Sequence, residues 1–524
     1  MKNIIYKTSI LLLIVGTLSS CQKKLESLYN NPERVGTANI PTFFTAMLNN
    51  DRVRPAYWNV RTFLLPHTAV YSQTASFTNS NTVYQQNDGY TGQYWSDFYY
   101  PAGNGSGPMA LYRQMQTTYA ALSAADQASQ QVFMQAAKIV LCDQASQMVD
   151  LWGDIPYSGA GNLETSSTIK DAKFDDAKTL YTSFISDLND AATFFGTAAA
   201  NSSFTKQDIL LGGSISQWRR YANSVRLRLL MRISYVDEAT AKAAVTTMLS
   251  NSSSYPLIDG GGTGNYNPSA TDVLLKPLTT NNDNLNSALT EIGSYYAPDY
   301  MLNTVMLPAN DPRIPVMFDK YGTTVNGTFV PNKTFRAMPI TYTTAQTDTA
   351  YTKYAIIDSV TLLQNKNLPG IVMTSAEVNF LKAEAYERWG GGSAQTAYET
   401  AVTQSVYFYY YLNNLNGGTT SPTGISTFLT AANVAYTGSS TDKLGKIWTQ
   451  KWLNFGFLQS KQAWAEYRRT KYPLLTFSTT GKLAGYTTPP TRLLYPSVET
   501  GYNSNYGSVQ AKDTRTTKIF WDVK

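Results

Sequence analysis

The sequence predicts a mainly α-helical protein in which four antiparallel helix pairs are separated by large irregular insertions. Apolar and small residues recur at helical spacing over several long stretches of the chain. Two of these stretches are separated only by the turn Gly390–Ser393, which allows the second helix to fold back on the first. The segments between the pairs are rich in Gly, Asn, Thr, Pro and Tyr, a composition typical of loops.

Each predicted pair follows from the apolar stripes of its two helices. Small residues such as Ala383 and Ala401 allow close approach, as in a tetratricopeptide unit. The spacing of the pairs does not follow a regular repeat, so we predict an interrupted scaffold. The predicted pairs are Val132–Leu151 with Phe174–Phe195, Trp218–Ile233 with Ala239–Leu249, Ala376–Trp389 with Ala394–Tyr411, and Leu444–Leu458 with Ala463–Arg469.

The predicted insertions are Phe63–Pro108, Asn251–Thr361 and Thr476–Gly507. Each is long and shows no sustained apolar periodicity. Long loops presented by a rigid scaffold often carry binding residues, so we expect the ligand-binding residues to lie there.

The N-terminus has the features of an export signal that ends at a lipid-acceptor cysteine. Lys2 and Lys7 precede an apolar stretch, Ile10–Leu18, that is too short to span a bilayer. Leu18-Ser19-Ser20-Cys21 resembles the bacterial lipobox. We therefore predict a signal peptide at 1–20, lipidation of Cys21, a tether at 21–40 and a single helical domain at 41–524.

Composition argues against several functional classes. Removal of residues 1–20 leaves 40 basic and 36 acidic residues, a net charge of +4, and the basic residues are dispersed. Neither property suits a nucleic-acid-binding surface. Once Cys21 carries lipid, Cys142 has no partner for a disulfide. The 37 tyrosines, many beside Asn, Thr, Ser or Gln, suit stacking on sugar faces and also suit wet protein interfaces.

Few catalytic or metal-binding motifs are present in the sequence. His67 is the only histidine, and neither a Gly-x-Ser-x-Gly elbow nor a phosphate-binding loop occurs. We predict a polar contact for His67 in a loop, no metal site and no cofactor. A glycosidase site of two paired carboxylates stays an open alternative, because such a pair is defined by the distance between the two groups in space and not by sequence spacing. The loop acids Asp272, Asp283 and Asp299 leave calcium open as well.

The chain resembles the SusD/RagB-like nutrient-binding outer-membrane lipoproteins, most closely the second SusD-like subfamily. The resemblance implies a SusD-like fold with four tetratricopeptide-like helix pairs. It also implies an outer-membrane lipoprotein at the cell exterior that binds oligosaccharides without turnover over a SusC-like TonB-dependent transporter. Besides the lipobox, the segments that carry it are Met148–Tyr157, Trp218–Ser234, Asp311–Pro315, Met373–Ala385, Gln450–Trp452, Ala463–Arg469 and Pro490–Pro496.

The charged residues of these segments are interpreted as structural. They lie on predicted helices, where ion pairs would join one element to another. The residues concerned are Arg228, Arg232, Arg468, Arg469, Glu384 and Glu466.

Aromatic and amide side chains in the insertions are the predicted ligand contacts, because sugar rings stack on aromatic faces and amides bind hydroxyls. Peptide capture by the same architecture, a surface glycoside hydrolase, and a structural role in which these rings face the transporter remain alternatives. The predicted contacts are Tyr71, Gln73, Tyr84, Trp95, Tyr295 and Tyr296.

Overall fold

The computed structural model describes residues 39–161, 171–264, 266–278, 285–418 and 420–524. The predicted signal peptide, Cys21 and residues 21–38 of the predicted tether lie outside the described residues, as does Asp283. The first described helix, Ile40–Leu48, is capped by the Asn39 side chain, which accepts a hydrogen bond from the backbone N–H of Thr42 at 3.1 Å.

Within the described residues the predicted helix pairs are all present as a scaffold of long helices. The first helix begins earlier than predicted, because Ser123 accepts a hydrogen bond from the N–H of Asp126 and caps it there. The scaffold helices are α1 (Ala124–Trp152), α2 (Ala177–Phe194), α3 (Ile215–Arg232), α4 (Glu238–Ser250), α5 (Ser375–Trp389), α6 (Ala394–Asn414), α7 (Ser440–Phe455) and α8 (Ser460–Thr470).

The scaffold helices share one apolar core. Helix α2 packs against both α1 and α3, and α5 packs against α6, α7 and α3. The large side chains Trp152, Trp218, Trp452 and Trp464 are buried in this core. Burial of apolar area on this scale is the main source of the stability of the fold.

Shorter elements fill the insertions. The Phe63–Pro108 insertion is more regular than predicted, because it contains part of a π-helical segment and the helix Asp88–Tyr99. The other described helical elements are Tyr57–Asn59, Val60–Ala69 (π), Val70–Ser72, Pro108–Ala120, Ser202–Gln207, Gly260–Gly262 (3₁₀), Pro268–Thr271, Leu285–Glu291, Tyr300–Met306 (π), Leu307–Ala309 (3₁₀), Ile314–Met317, Thr344–Ala350, Tyr351–Lys353 (3₁₀), Ser359–Leu363 (π), Ile425–Leu429, Ser497–Tyr502, Tyr506–Ser508 (3₁₀) and Gln510–Lys512 (3₁₀).

Short antiparallel strand pairs hold the ends of the insertions together. A longer pair forms a hairpin that stands apart from the other described strands. The pairs are Ile155–Pro156 with Phe174–Asp175, Val273–Leu275 with Gly370–Met373, Phe318–Asp319 with Ile356–Ile357, and the hairpin Gly322–Val325 with Thr328–Pro331.

Ion pairs join the scaffold helices, as the sequence predicts. Arg228 of α3 pairs with Glu377 of α5 at 2.6 Å and with Asp143 of α1 at 3.0 Å. Arg232 pairs with Glu466 of α8 at 2.8 Å. All are buried, so each charge depends on its partner.

Arg468 differs from the other predicted ion-pairing residues. Its guanidinium donates to the backbone oxygens of Trp464 and Thr491 at 3.3 and 2.9 Å, and its centre lies 3.8 Å from the Trp464 ring centroid. Burial lowers the pKa of Arg468 to about 10. Packing on the ring replaces the predicted ion pair at this residue.

No helix in the described part of the chain is both long enough and apolar enough to cross a bilayer.

Candidate ligand-binding surface

The structure places the predicted contact Trp95 in the interior. Trp95 is 1% exposed, and its indole N–H donates to Oε1 of Glu499 at 2.9 Å. Its ring meets the Trp152 ring edge to face, with centroids 5.2 Å apart. Both the faces and the N–H of Trp95 are therefore occupied by the protein itself.

Tyr71, Gln73 and Tyr84 are also buried rather than presented to solvent. The Tyr71 ring packs on Trp464 at 5.2 Å, and burial raises the pKa of its phenol. Gln73, in the left-handed region at φ 52°, donates to the backbone oxygen of Thr476 at 2.6 Å. Burial raises the pKa of Tyr84 to about 12. These side chains anchor the first insertion to the core and are not accessible to a ligand.

Tyr295 and Tyr296 lie at a small buried cluster that is separate from the main core. Tyr296 forms an antiparallel bridge with Ile356, and the N–H of Ile357 donates to the oxygen of Tyr295 at 2.8 Å. The Tyr295 hydroxyl donates to the Tyr296 hydroxyl at 2.9 Å. Tyr296 is buried whereas Tyr295 is partly exposed.

Further tyrosines extend this pair into one group, here called the tyrosine cluster. Burial and the neighbouring Tyr295 phenol raise the pKa of Tyr321, whose ring centroid lies 6.2 Å from that of Tyr351. Tyr296 and Tyr354 share a buried contact with Met338. The members of the cluster are Tyr295, Tyr296, Tyr321, Tyr342, Tyr351 and Tyr354.

Arg336 holds one side of the tyrosine cluster. Its guanidinium donates to the Tyr354 hydroxyl at 2.7 Å, and its centre lies 4.6 Å from the Tyr354 ring centroid. The Tyr354 hydroxyl in turn donates to that of Tyr342 at 3.1 Å. Burial raises the pKa of Tyr354 and of Tyr321, so these phenols stay neutral near pH 7.

Tyr321 immediately precedes the hairpin Gly322–Pro331. Val325 and Phe329 are each about half exposed, at 52% and 55%. The turn residues Asn326 and Gly327 have φ of 51° and 79°, as a tight hairpin turn requires. The first strand of the hairpin packs beside the segment Tyr351–Lys353, while Val325 and Phe329 stay exposed.

The first insertion reaches the cluster through its backbone rather than through the predicted aromatics. The backbone N–H of Asn79 donates to the backbone oxygen of Tyr342 at 2.9 Å, and the Asn79 side-chain amide donates to the backbone oxygen of Thr341 at 3.2 Å. Lys482 of the last insertion donates to the Asn79 side-chain oxygen. All the insertions therefore meet at this surface.

Sequence reasoning found only the Tyr295 and Tyr296 part of the cluster. Tyr321, Tyr342 and Tyr354 are separated from them by strands and turns that bring them back in space. The density of tyrosine between residues 295 and 354 was the available signal. Arg336 gave no comparable signal.

His67 is buried in the π-helical segment, not in a loop. Its Nδ1 lies 3.2 Å from the oxygen of Phe63, and Nε2 accepts from the N–H of Asn87 at 3.1 Å. Burial lowers the pKa of His67 to about 4. The predicted polar contact is present, and a neutral ring occupied at both nitrogens has no place in the ligand-binding surface.

The described loop acids have protein partners. Asp272 accepts from the hydroxyl of Ser375 at 2.6 Å, and Asp299 accepts from the amide of Asn303 at 2.7 Å. Among the residues that the structure describes, no group of three or more His, Cys, Asp or Glu side chains is arranged to hold a metal ion. None of the described residues is assigned as a site for the calcium ion that the sequence leaves open.

A family model matches residues 39–496, which is most of the chain. It is the second SusD-like model, described as "starch-binding associating with outer membrane". The chain belongs to this SusD-like family. Among curated proteins nothing matches the chain.

Solved structures of SusD-like proteins have the same fold as this family member. A chitin-binding SusD homologue from Flavobacterium johnsoniae is 22% identical, with a TM-score of 0.71, and the match covers 93% of this chain and 99% of that one. A SusD-like protein from Bacteroides thetaiotaomicron is 21% identical, with a TM-score of 0.67 and coverage of 93% and 99%. These similarities confirm the mainly helical SusD-like fold predicted from the sequence.

Proposed function

We propose that this SusD-like protein binds oligosaccharides at the tyrosine cluster and delivers them to a partner SusC-like TonB-dependent transporter. The observation that carries the proposal is the convergence of partly exposed tyrosine rings, paired phenol hydroxyls and Arg336 where the insertions meet. The family description and the chitin-binding name of one structural relative support a glycan as the ligand.

The chemistry of the cluster suits a sugar. Tyr351 and Tyr321 offer apolar ring faces to the C–H face of a pyranose. The partly exposed phenols of Tyr295 and Tyr342 are held in place by hydrogen bonds to the buried phenols of Tyr296 and Tyr354, so they can exchange hydrogen bonds with sugar hydroxyls. Such contacts give modest affinity, as a protein that hands its ligand onward requires.

We propose further that the protein is a lipoprotein, anchored through Cys21 and facing the cell exterior. The lipobox-like sequence and the outer-membrane association in the family description support this placement. The proposed role is binding without bond cleavage, since delivery to a transporter needs intact oligosaccharide.

Affinity electrophoresis tests the proposal. A soluble form beginning at Gln22 is run through native gels containing soluble starch or a soluble chitin derivative, with a peptide digest as competitor. We expect retardation in at least one glycan gel and its loss in Tyr351→Ala combined with Tyr321→Ala. Tyr502→Ala is the matched control, because Tyr502 is 83% exposed and lies outside the cluster.

Migration that no polysaccharide alters would contradict glycan binding. Competition by the peptide digest would instead favour peptide capture. Reducing ends released from either polysaccharide would contradict binding without cleavage. Loss of co-purification with the transporter in the Tyr351→Ala, Tyr321→Ala double variant would favour the alternative that these rings contact the transporter.

A further inference from the structure

A cavity of about 70 Å³, with both apolar and polar lining residues, lies between α1, the start of α8 and the segment that follows Ile40–Leu48. One water needs about 10–15 Å³ by the same measure, so the space exceeds that of a single buried water. A second, smaller cavity shares part of its lining. The polar residues common to both are Arg52, Gln144, Gln147 and Lys461.

Arg52 lines this cavity and has a guanidinium nitrogen without an acceptor. The residue is only 6% exposed, and its Nε donates to Oδ2 of Asp97 at 2.5 Å. Its Nη1 is buried and has no hydrogen-bond acceptor. Buried guanidinium nitrogens are rarely left unpaired, because desolvation without a partner is costly. Some acceptor is therefore expected in the cavity.

Lys461 adds a second cation at the same place. Its ammonium donates to the Tyr94 hydroxyl at 2.7 Å and lies 5.2 Å from the centroid of that ring. The Arg52 guanidinium lies 5.0 Å from the same centroid. Within the described residues no carboxylate lies within ion-pair distance of Lys461, and Asp97 pairs with Arg52.

The N-terminus of α8 also faces the cavity. Leu458, Gln459 and Lys461 line the space, and the Gln459 side chain makes no capping hydrogen bond to the helix. The first turn of a helix carries partial positive charge, which repels a lysine side chain there and attracts an anion. The position of Lys461 is unfavourable for the helix alone.

The acid in the lining of the cavity has protein partners. Asp143 accepts from Arg228 at 3.0 Å and from the Tyr221 hydroxyl at 2.6 Å. Arg54, a further cation in the lining, pairs with Asp51 at 3.2 Å. Among the described residues that line the cavity, Lys461 is the charged side chain without an ion-pair partner.

We propose that this cavity binds a small oxyanion, of phosphate or carboxylate chemistry, between Arg52, Lys461 and the N-terminus of α8. The guanidinium would supply its unused N–H donors and the ammonium a point charge. The site is separate from the tyrosine cluster, so this inference holds or fails independently of glycan binding.

The test uses the protein from Gln22 onward in sodium phosphate, sodium D-glucuronate or sodium chloride at constant ionic strength. Isothermal titration and thermal unfolding are measured for the parent and for Lys461→Met and Lys461→Gln. Lys242→Met is the matched control, because Lys242 is exposed on α4, away from the cavity. We expect saturable binding of at least one oxyanion, weakened about tenfold or more in both Lys461 variants and unchanged in the control.

The two oxyanions distinguish the sources of the ligand. Binding of phosphate alone assigns a free or esterified phosphate, and binding of glucuronate assigns a sugar carboxylate. The proposal is overturned if neither oxyanion binds beyond the chloride baseline. It is equally overturned if the folded Lys461 variants bind as tightly as the parent.

Discussion

Arg469 and Glu384 form a two-point ion pair inside the scaffold. Arg469 Nη1 donates to Glu384 Oε1 at 2.7 Å, and Nη2 donates to Oε2 at 2.6 Å. Neither side chain is exposed, and the pair joins α8 to α5. Arg469 also contacts Glu466 at 2.7 Å, and Lys451 contacts Glu466 at 2.5 Å. The pair is thus the centre of a fully buried charge network.

Replacing Glu384 with Gln should lower the free energy of unfolding by about 3–5 kcal/mol, because Arg469 would lose one of its two buried countercharges. Urea unfolding measures the change. Glu238→Gln is the control, since Glu238 pairs with Arg388 at 3.0 Å but has a side chain that is 58% exposed. The control should cost about 1 kcal/mol or less. Equal losses in both variants would contradict a special role for the buried pair.

His67 should make stability fall in acid. Its pKa is lowered to about 4 in the folded protein, against an ordinary value of 6.5. The unfolded chain therefore binds a proton between these values while the folded protein does not. The stability contribution is present above pH 6.5 and is lost as pH falls through 4, by about 3 kcal/mol at one pKa unit per 1.36 kcal/mol.

The His67→Gln variant isolates this contribution. The difference in unfolding free energy between parent and variant is measured by urea titration from pH 4 to 8. The parent should lose stability relative to the variant as the pH decreases. A difference that is flat across this range would show that His67 titrates normally in the folded protein.

Asp272 should have the opposite effect. Burial raises its folded-state pKa to about 7 from 3.8, so the folded protein holds a proton that the unfolded chain has lost. Its contribution is full below pH 3.8 and is lost as pH rises through 7, by about 4 kcal/mol. Asp272→Asn keeps an acceptor for Ser375 and should gain stability relative to the parent between pH 4 and 8, as measured by urea unfolding. A parallel pH dependence of parent and variant would contradict the raised pKa.

The helix pairs were predictable because their periodicity is local. The stripe that predicts α5 and the Gly390 turn that precedes α6 lie within one continuous segment. The ion-pairing role of Arg228 was predictable from its place on a helix, but its partner Glu377 was not. The pairing of one residue with another was set by the packing of α3 on α5, which no local pattern contains.

The ligand-binding surface was harder to predict, because aromatic residues occur both in the core and on the exposed surface. Trp95 and Tyr71 lie among polar residues in an apparent loop, yet helical segments turn them inward onto Trp152 and Trp464. Tyr351 has a similar sequence environment and remains 43% exposed. The direction of a ring depends on tertiary packing, which the local sequence does not determine.

Trp95 and Tyr351 therefore make a discriminating pair of variants. Trp95→Ala removes a ring that is 1% exposed and should lower the free energy of unfolding by about 3–5 kcal/mol. Glycan affinity of the remaining folded protein should be unchanged. Tyr351→Ala should leave stability within about 0.5 kcal/mol and weaken glycan retardation, because its ring is exposed in the tyrosine cluster. Both variants are measured by urea unfolding and by affinity gels. Loss of glycan affinity in folded Trp95→Ala, with no loss in Tyr351→Ala, would place the binding surface in the first insertion and not at the tyrosine cluster.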